Sequence, residues 1–127
     1  MNQRTFDLED RLVNFAVLAI RVAESLANTK GGDNIANQLV RSGTSPALNY
    51  GEAQSAESKS DFIHKLKIIV KGLRETHVSL RITERISSPG SIDILKEATD
   101  ECNQLTAIFV RSIKTARGAK KKTERAL

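Results

Sequence analysis

A chain of 127 residues is about one domain long, and 39% hydrophobic with 28% charged residues is the balance of a globular protein, not a disordered one. The lone Cys102 excludes an internal disulfide, and the sequence has neither a charged-then-apolar leader nor a long uncharged apolar run, so it predicts a cytoplasmic protein with no membrane partner. The formal net charge of +5 is uneven: Arg111–Leu127 holds seven basic residues and one acid, a net of +6, whereas residues 1–110 hold 13 basic and 14 acidic side chains.

Only five residues are aromatic and none is Trp, so the core must be aliphatic, a composition that suits helix-on-helix packing. From Phe6 to Ala27, apolar side chains recur at Leu8, Leu12, Phe15, Ala19, Val22 and Leu26, the three- and four-residue spacing of one helix face. Val13, Val17 and Ile20 form a second apolar strip beside it, wider than a simple bundle core requires. The stretch Asn28–Gly32 reads as a turn, with Asp33 placed to cap a second helix that begins with Ile35 and Leu39.

The second helix then carries an unusual run, Gln38–Phe62 (QLVRSGTSPALNYGEAQSAESKSDF), of small and polar residues. At about 100° per residue, Arg41, Ser45, Asn49 and Glu52 fall within an arc of about 80°, opposite Ile35, Leu39, Tyr50 and Ala53. Buried, this file must satisfy its own hydrogen bonds as a structural polar network, because an unpaired buried polar group costs roughly 1–3 kcal/mol. Exposed, it is an ordinary solvated face. Gly43, Ala47 and Gly51 would admit a close partner backbone, and Pro46 predicts a kink or a restart capped by Ser45.

Ser58 and Asp61, in S-x-x-D spacing, mark the start of a third helix that runs to about Ile86. Phe62, Leu66, Ile69, Leu73 and Leu80 form its main stripe, and Ile68, Val78, Ile82 and Ile86 lie off it. Ser87–Ser91 (SSPGS) is a turn, and Leu95, Ala98, Cys102, Leu105, Phe109 and Ile113 make the seam of a fourth helix. The expected fold is all-α, an antiparallel up-down-up-down four-helix bundle over residues 1–117, followed by a basic, disordered tail over 118–127. The surplus apolar strips on the first and third helices predict a homo-oligomer, since a large exposed apolar patch is unusual on a soluble monomer.

The segment from Gln38 to Leu80 resembles the signature of the four helix bundle protein family, whose founding members are encoded by intervening sequences within bacterial large-subunit ribosomal RNA genes. The matching positions are Gln38, Leu39, Arg41, Ser42 and Ser45; then Asn49, Glu52 and Ala53; then Asp61 with Phe62, and the Glu75–Thr76 pair. Pro46 departs from the pattern, in which many relatives carry an aliphatic residue directly after the serine. The resemblance implies a left-handed four-helix bundle, a closed ring of five subunits and no established enzymatic activity. Related proteins are accessory factors beside the reverse transcriptases of diversity-generating retroelements, where a basic surface contacts nucleic acid.

No residue pattern points to catalysis. Asp61 and His64 make a single D-x-x-H pair, whereas carboxylate-bridged metal bundles need such a motif on two helices plus carboxylates from two more, even with Glu52 and Glu75 as partners. His77 reads as a hydrogen-bonded core or interface histidine, and Cys102 as a small hydrophobe. No phosphate-binding glycine loop, nucleophile elbow or metal-spaced Cys/His cluster is present, so neither cofactor nor metal is expected. Lys67, Lys71, Arg74 and Arg81 lie along one strip of the third helix and, with Lys120, Lys121 and Lys122 in the tail, are the candidate contacts for RNA or DNA. A solvated face, partly neutralised by Glu75, is the competing explanation of that strip. The sequence therefore predicts a non-enzymatic oligomeric scaffold or accessory protein associated with nucleic acid, or alternatively a protein-binding adaptor platform.

Overall fold

The structure is a computed structural model that describes the backbone of residues 3–86 and 92–126 and the side chains of residues 8–86 and 93–118. Among the described residues there is no strand; the helices are α1 (Gln3–Glu24), α2 (Lys30–Gln54), α3 (Lys59–Ile86) and α4 (Ile92–Ala126). Each packs on the next, and α1 also packs on α4, which closes an antiparallel up-down-up-down four-helix bundle. The expected turn Ser87–Ser91 and the side chains of Lys120, Lys121 and Lys122 lie outside the described residues, whereas the backbone of α4 continues past residue 117 to Ala126, where the sequence predicts a disordered tail.

The apolar stripes meet in one core. Leu12, Phe15, Ala19 and Val22 of α1 pack with Leu39, Tyr50 and Ala53 of α2, and with Leu66, Ile69, Leu73 and Leu80 of α3. All six seam residues expected on α4 are buried. Tyr50 and Phe109 meet edge to face, with ring centroids 5.8 Å apart and planes at 75°, and so tie α2 to α4 through the core. On the rim, Arg11 of α1 forks onto Glu101 of α4, with Nε–Oε2 at 3.2 Å and a second hydrogen bond to Oε1. The bond to Glu101 pushes the Arg11 guanidinium pKa up from its ordinary value.

Two helix starts show how local chemistry sets the boundaries. α2 begins earlier than the sequence suggests: Thr29 is its N-cap, accepting at Oγ1 from the Gly32 N–H at 2.9 Å. Asp33 is therefore not the cap, and its carboxylate sits in the first turn, where the positive end of the helix dipole favours it. A Cβ on Gly32 would lie 2.2 Å from the Ala27 carbonyl oxygen, so the turn closes only around a residue without a side chain. α3 starts as expected, Ser58 Oγ accepting from the Asp61 N–H at 3.0 Å.

The second correction concerns Pro46. The helix neither stops nor restarts there; Pro46 is buried in the interior of α2, and Ser45 is not a cap. A proline in mid-helix leaves the carbonyl four residues back without its usual donor, here that of Ser42. Packing offsets this loss, because Gly72 of α3 lies directly opposite: a Cβ there would sit 3.4 Å from Pro46 Cγ and Cδ and from the Ser42 carbonyl oxygen. On the other flank of α2, Gly43 meets α1 so closely that a Cβ would lie 2.4 Å from Ala19 Cβ. Gly51, expected to admit a partner in the same way, has nothing within 4 Å of its Cβ position.

These contacts order the effects of substitution. Gly43→Ala must push α1 and α2 apart and should destabilise the fold by roughly 1–3 kcal/mol, the usual cost of overpacking. Gly72→Ala meets only ordinary contacts and removes the entropic cost of a helical glycine, so urea unfolding should place it within about 1 kcal/mol of the parent.

Candidate functional site

The polar file of α2 does not close into a single network among the described residues. Ser45 and Asn49 pair within their own helix, Asn49 Nδ2 donating to Ser45 Oγ at 2.9 Å and to the Ser45 carbonyl at 3.0 Å. Glu52 leaves the file and accepts from Lys65 of α3 at 3.0 Å. Arg41 is exposed, and among the described residues its guanidinium makes no hydrogen bond or ion pair. The reason is position: Arg41 and Glu52 lie on the outer rim of α2, where water solvates them, and the half-buried Ser45 and Asn49 satisfy each other locally.

The buried polar seam lies one step round the helix. Thr76 Oγ1 is 2.8 Å from Ser42 Oγ, which is itself 2.8 Å from the Gln38 carbonyl, and Thr76 Oγ1 is also 2.8 Å from the Gly72 carbonyl. Each hydroxyl has one proton. Donation from Thr76 to Ser42 and from Ser42 to Gln38 uses both and joins α2 to α3 through the core. Thr83 Oγ1 donates to the Ser79 carbonyl at 2.8 Å, and no buried side-chain nitrogen or oxygen among the described residues lacks a partner. Spacing could have shown this seam: Thr76 and Thr83 continue the stripe through Leu73 and Leu80, and Ser42 sits between Leu39 and Pro46. Ser42 and Thr76 both belong to the motif quoted above, where the sequence suggested no role for either.

Cys102 occupies the centre of the α4 seam, fully buried, its thiol 3.2 Å from the Leu73 carbonyl of α3. Burial pushes its pKa up from 9.0 to about 11, against a smaller lowering effect from Thr106. The neutral thiol is a packed donor rather than a nucleophile.

The residues considered for a metal do not converge. His64 and Glu75 are exposed, and Glu52 pairs with Lys65. Among the described residues, no three His, Cys, Asp or Glu side chains gather in a possible ion site.

What remains is surface. Lys67, Lys71, Arg74 and Arg81 are all exposed along α3, and Arg85 extends their strip. Val13 and Val17 of α1, Val40 and Leu48 of α2, and Val78, Ile82 and Ile86 of α3 are large apolar side chains at 40% exposure or more, Leu48 reaching 71%. Between α2 and α3 a shallow groove of about 470 Å³ is lined by Ile35, Gln38, Val78, Ser79 and Ile82, with Arg74 and Glu75 at its edge. No helix among the described residues is long and apolar enough to cross a membrane.

No family model and no curated protein matches the chain. A solved structure does: a protein of unknown function from the S23 ribosomal protein family of Bacteroides thetaiotaomicron, 27% identical, with a TM-score of 0.75. The match covers 87% of this chain and 97% of the other. The likeness extends to all but a small part of both molecules and supports the bundle architecture.

Two measurements check the interior. Thr76→Val removes the donor to Ser42 and should cost roughly 1–2 kcal/mol, and a double-mutant cycle with Ser42→Ala should show coupling of about 0.5–1.5 kcal/mol. Asn49→Ala, which frees only a local bond, should cost less than about 1 kcal/mol. Cys102 should react with a thiol reagent at pH 8 only as fast as the bundle opens. Its folded pKa is the raised one, so the stability it contributes is complete below pH 9 and lost as the pH rises from 9 to about 11.

Proposed function

We propose that the chain is a cytoplasmic, non-enzymatic homo-oligomeric bundle of the four helix bundle protein family, assembled as a ring of five and serving as a nucleic-acid-associated scaffold or accessory protein. The observation that carries the assembly is the apolar surface left outside the core. Val13, Val17, Val40 and Leu48 lie on the outer sides of α1 and α2, and Val78, Ile82 and Ile86 on that of α3. Patches at two different places on one chain suit head-to-tail association, which forms a ring when the rotation between copies closes. The motif residues from Gln38 to Thr76 and the neighbour from the S23 ribosomal protein family support the family reading.

The nucleic-acid reading rests on charge. The exposed Lys67, Lys71 and Arg74 of α3, and Lys120, Lys121 and Lys122 toward the C-terminus, supply cations, and a ring multiplies them on one particle. The α2–α3 groove favours a second reading, a platform for a protein partner, because Ile35, Val78 and Ile82 line it beside one cation, Arg74, and one acid, Glu75.

Light scattering at micromolar concentration should return the mass of five 14.0 kDa chains, and Leu48→Glu or Val78→Glu should reduce it. A monomer would overturn the assembly; a dimer or tetramer would overturn only the number. Labelled RNA and DNA titrated at two salt concentrations should bind with little sequence preference and weaken steeply with salt. Failure of the full chain to bind either at low salt would leave the protein platform as the reading.

A further inference from the structure

We propose that the outer face shared by α3 and α4 is a docking surface for the phosphate backbone of a double-helical nucleic acid, with Arg85, Lys96 and Lys114 extending the file of Lys67, Lys71 and Arg74. This rests on the nucleic-acid reading above and gives it a face and a ligand class.

The placement follows from contacts that orient the helices. On α3, Lys65 and Thr76 point to α2, where they meet Glu52 and Ser42. At about 100° per residue, the backbone positions of Lys67, Lys71, Arg74, Arg81 and Arg85 lie roughly 130–170° round from that direction, although the Arg74 side chain also lines the α2–α3 groove. On α4, Glu101 points to α1 through Arg11, and Lys96 and Lys114 share one azimuth about 140° away, on the side of α3. Cys102 against the Leu73 carbonyl fixes the register between the two helices. All seven basic side chains are exposed. The acids beside them are Glu75 and Glu84 on α3 and Asp93 and Asp100 on α4, so seven cations face four acids and positive charge still dominates.

The dimensions and chemistry fit a duplex. Lys67 and Arg85, like Lys96 and Lys114, are five turns apart, about 27 Å of helix axis, so the cations form two rigid files on neighbouring helices. A double helix presents phosphates at a higher linear charge density than a single strand and releases more counterions per cation that it meets. A single strand would need bases to stack on aromatic side chains. Among the described residues this face has none: Phe15, Tyr50 and Phe109 are buried in the core, and Phe62 packs against it.

The test is fluorescence anisotropy on the full chain with three probes of equal length: a DNA duplex, an RNA duplex and an unstructured DNA strand. Both duplexes should bind more tightly than the strand, with weak dependence on sequence. The double variant Lys96→Glu/Lys114→Glu, at two exposed positions, should keep its circular dichroism and mass. It should lose tenfold or more in duplex affinity at low salt, and its log–log salt slope should fall by about two. Lys96→Gln/Lys114→Gln should show a smaller loss in the same direction and guards against a folding artefact. A strand that binds as tightly as the duplexes overturns the proposal. So does unchanged duplex affinity in the double variant when a chain ending at Arg117 has lost it; the contact then belongs to the tail, and the nucleic-acid reading stands. Absence of binding to all three probes removes both.

Discussion

The bundle depends on how closely α2 approaches its two neighbours. At Gly43 its backbone meets Ala19 of α1, and at Pro46 its ring meets Gly72 of α3, while Ser42 and Thr76 hydrogen-bond in the space between. Close-packed helices with small residues at the crossing leave no room for rotation or register slip, because any shift brings a larger neighbour into the gap. The aliphatic stripes supply most of the burial, but many bundles could be built from such stripes. The small-residue crossing and its buried hydroxyl pair select this one, since a shift in register would leave two hydroxyls without partners in the core.

Much of this was legible in the sequence, and the reasons differ by element. The seam of α4 was read correctly because Leu95, Ala98, Cys102, Leu105, Phe109 and Ile113 use one residue class at one spacing, whereas its end was not: apolar periodicity stops near Gly118 and the helix continues to Ala126. The Ser58 cap was visible because S-x-x-D has a specific geometry. The start of α2 was not, since two adjacent glycines usually signal a turn, and only the folded turn shows the Thr29 cap and the Ala27 carbonyl that crowds Gly32. Pro46 misled only as to a restart: proline propensity describes an isolated helix, whereas here the ring packs against Gly72 of another helix and α2 continues through it.

The polar residues of α2 show where one-dimensional reading stops. Arg41, Ser45, Asn49 and Glu52 share an arc, but an arc does not say which side is buried, and the bundle buries the adjoining one that carries Ser42. The hydroxyls of Ser42 and Thr76 occupy seam positions that apolar residues fill elsewhere. The charge strip on α3 was visible as a strip, but its continuation across Lys96 and Lys114 needs the register between two helices, which no single-helix projection contains.

The edge-to-face contact of Tyr50 and Phe109 has a practical corollary. Tyr50 is the one tyrosine of a chain that has no tryptophan, so the intrinsic emission of the protein comes from a ring lodged between α2 and α4. Events confined to the outside of the bundle are optically silent, and any event that parts the helices is not. The molecule thus carries its own reporter, which separates ligands that settle on the surface from those that pry the interior open.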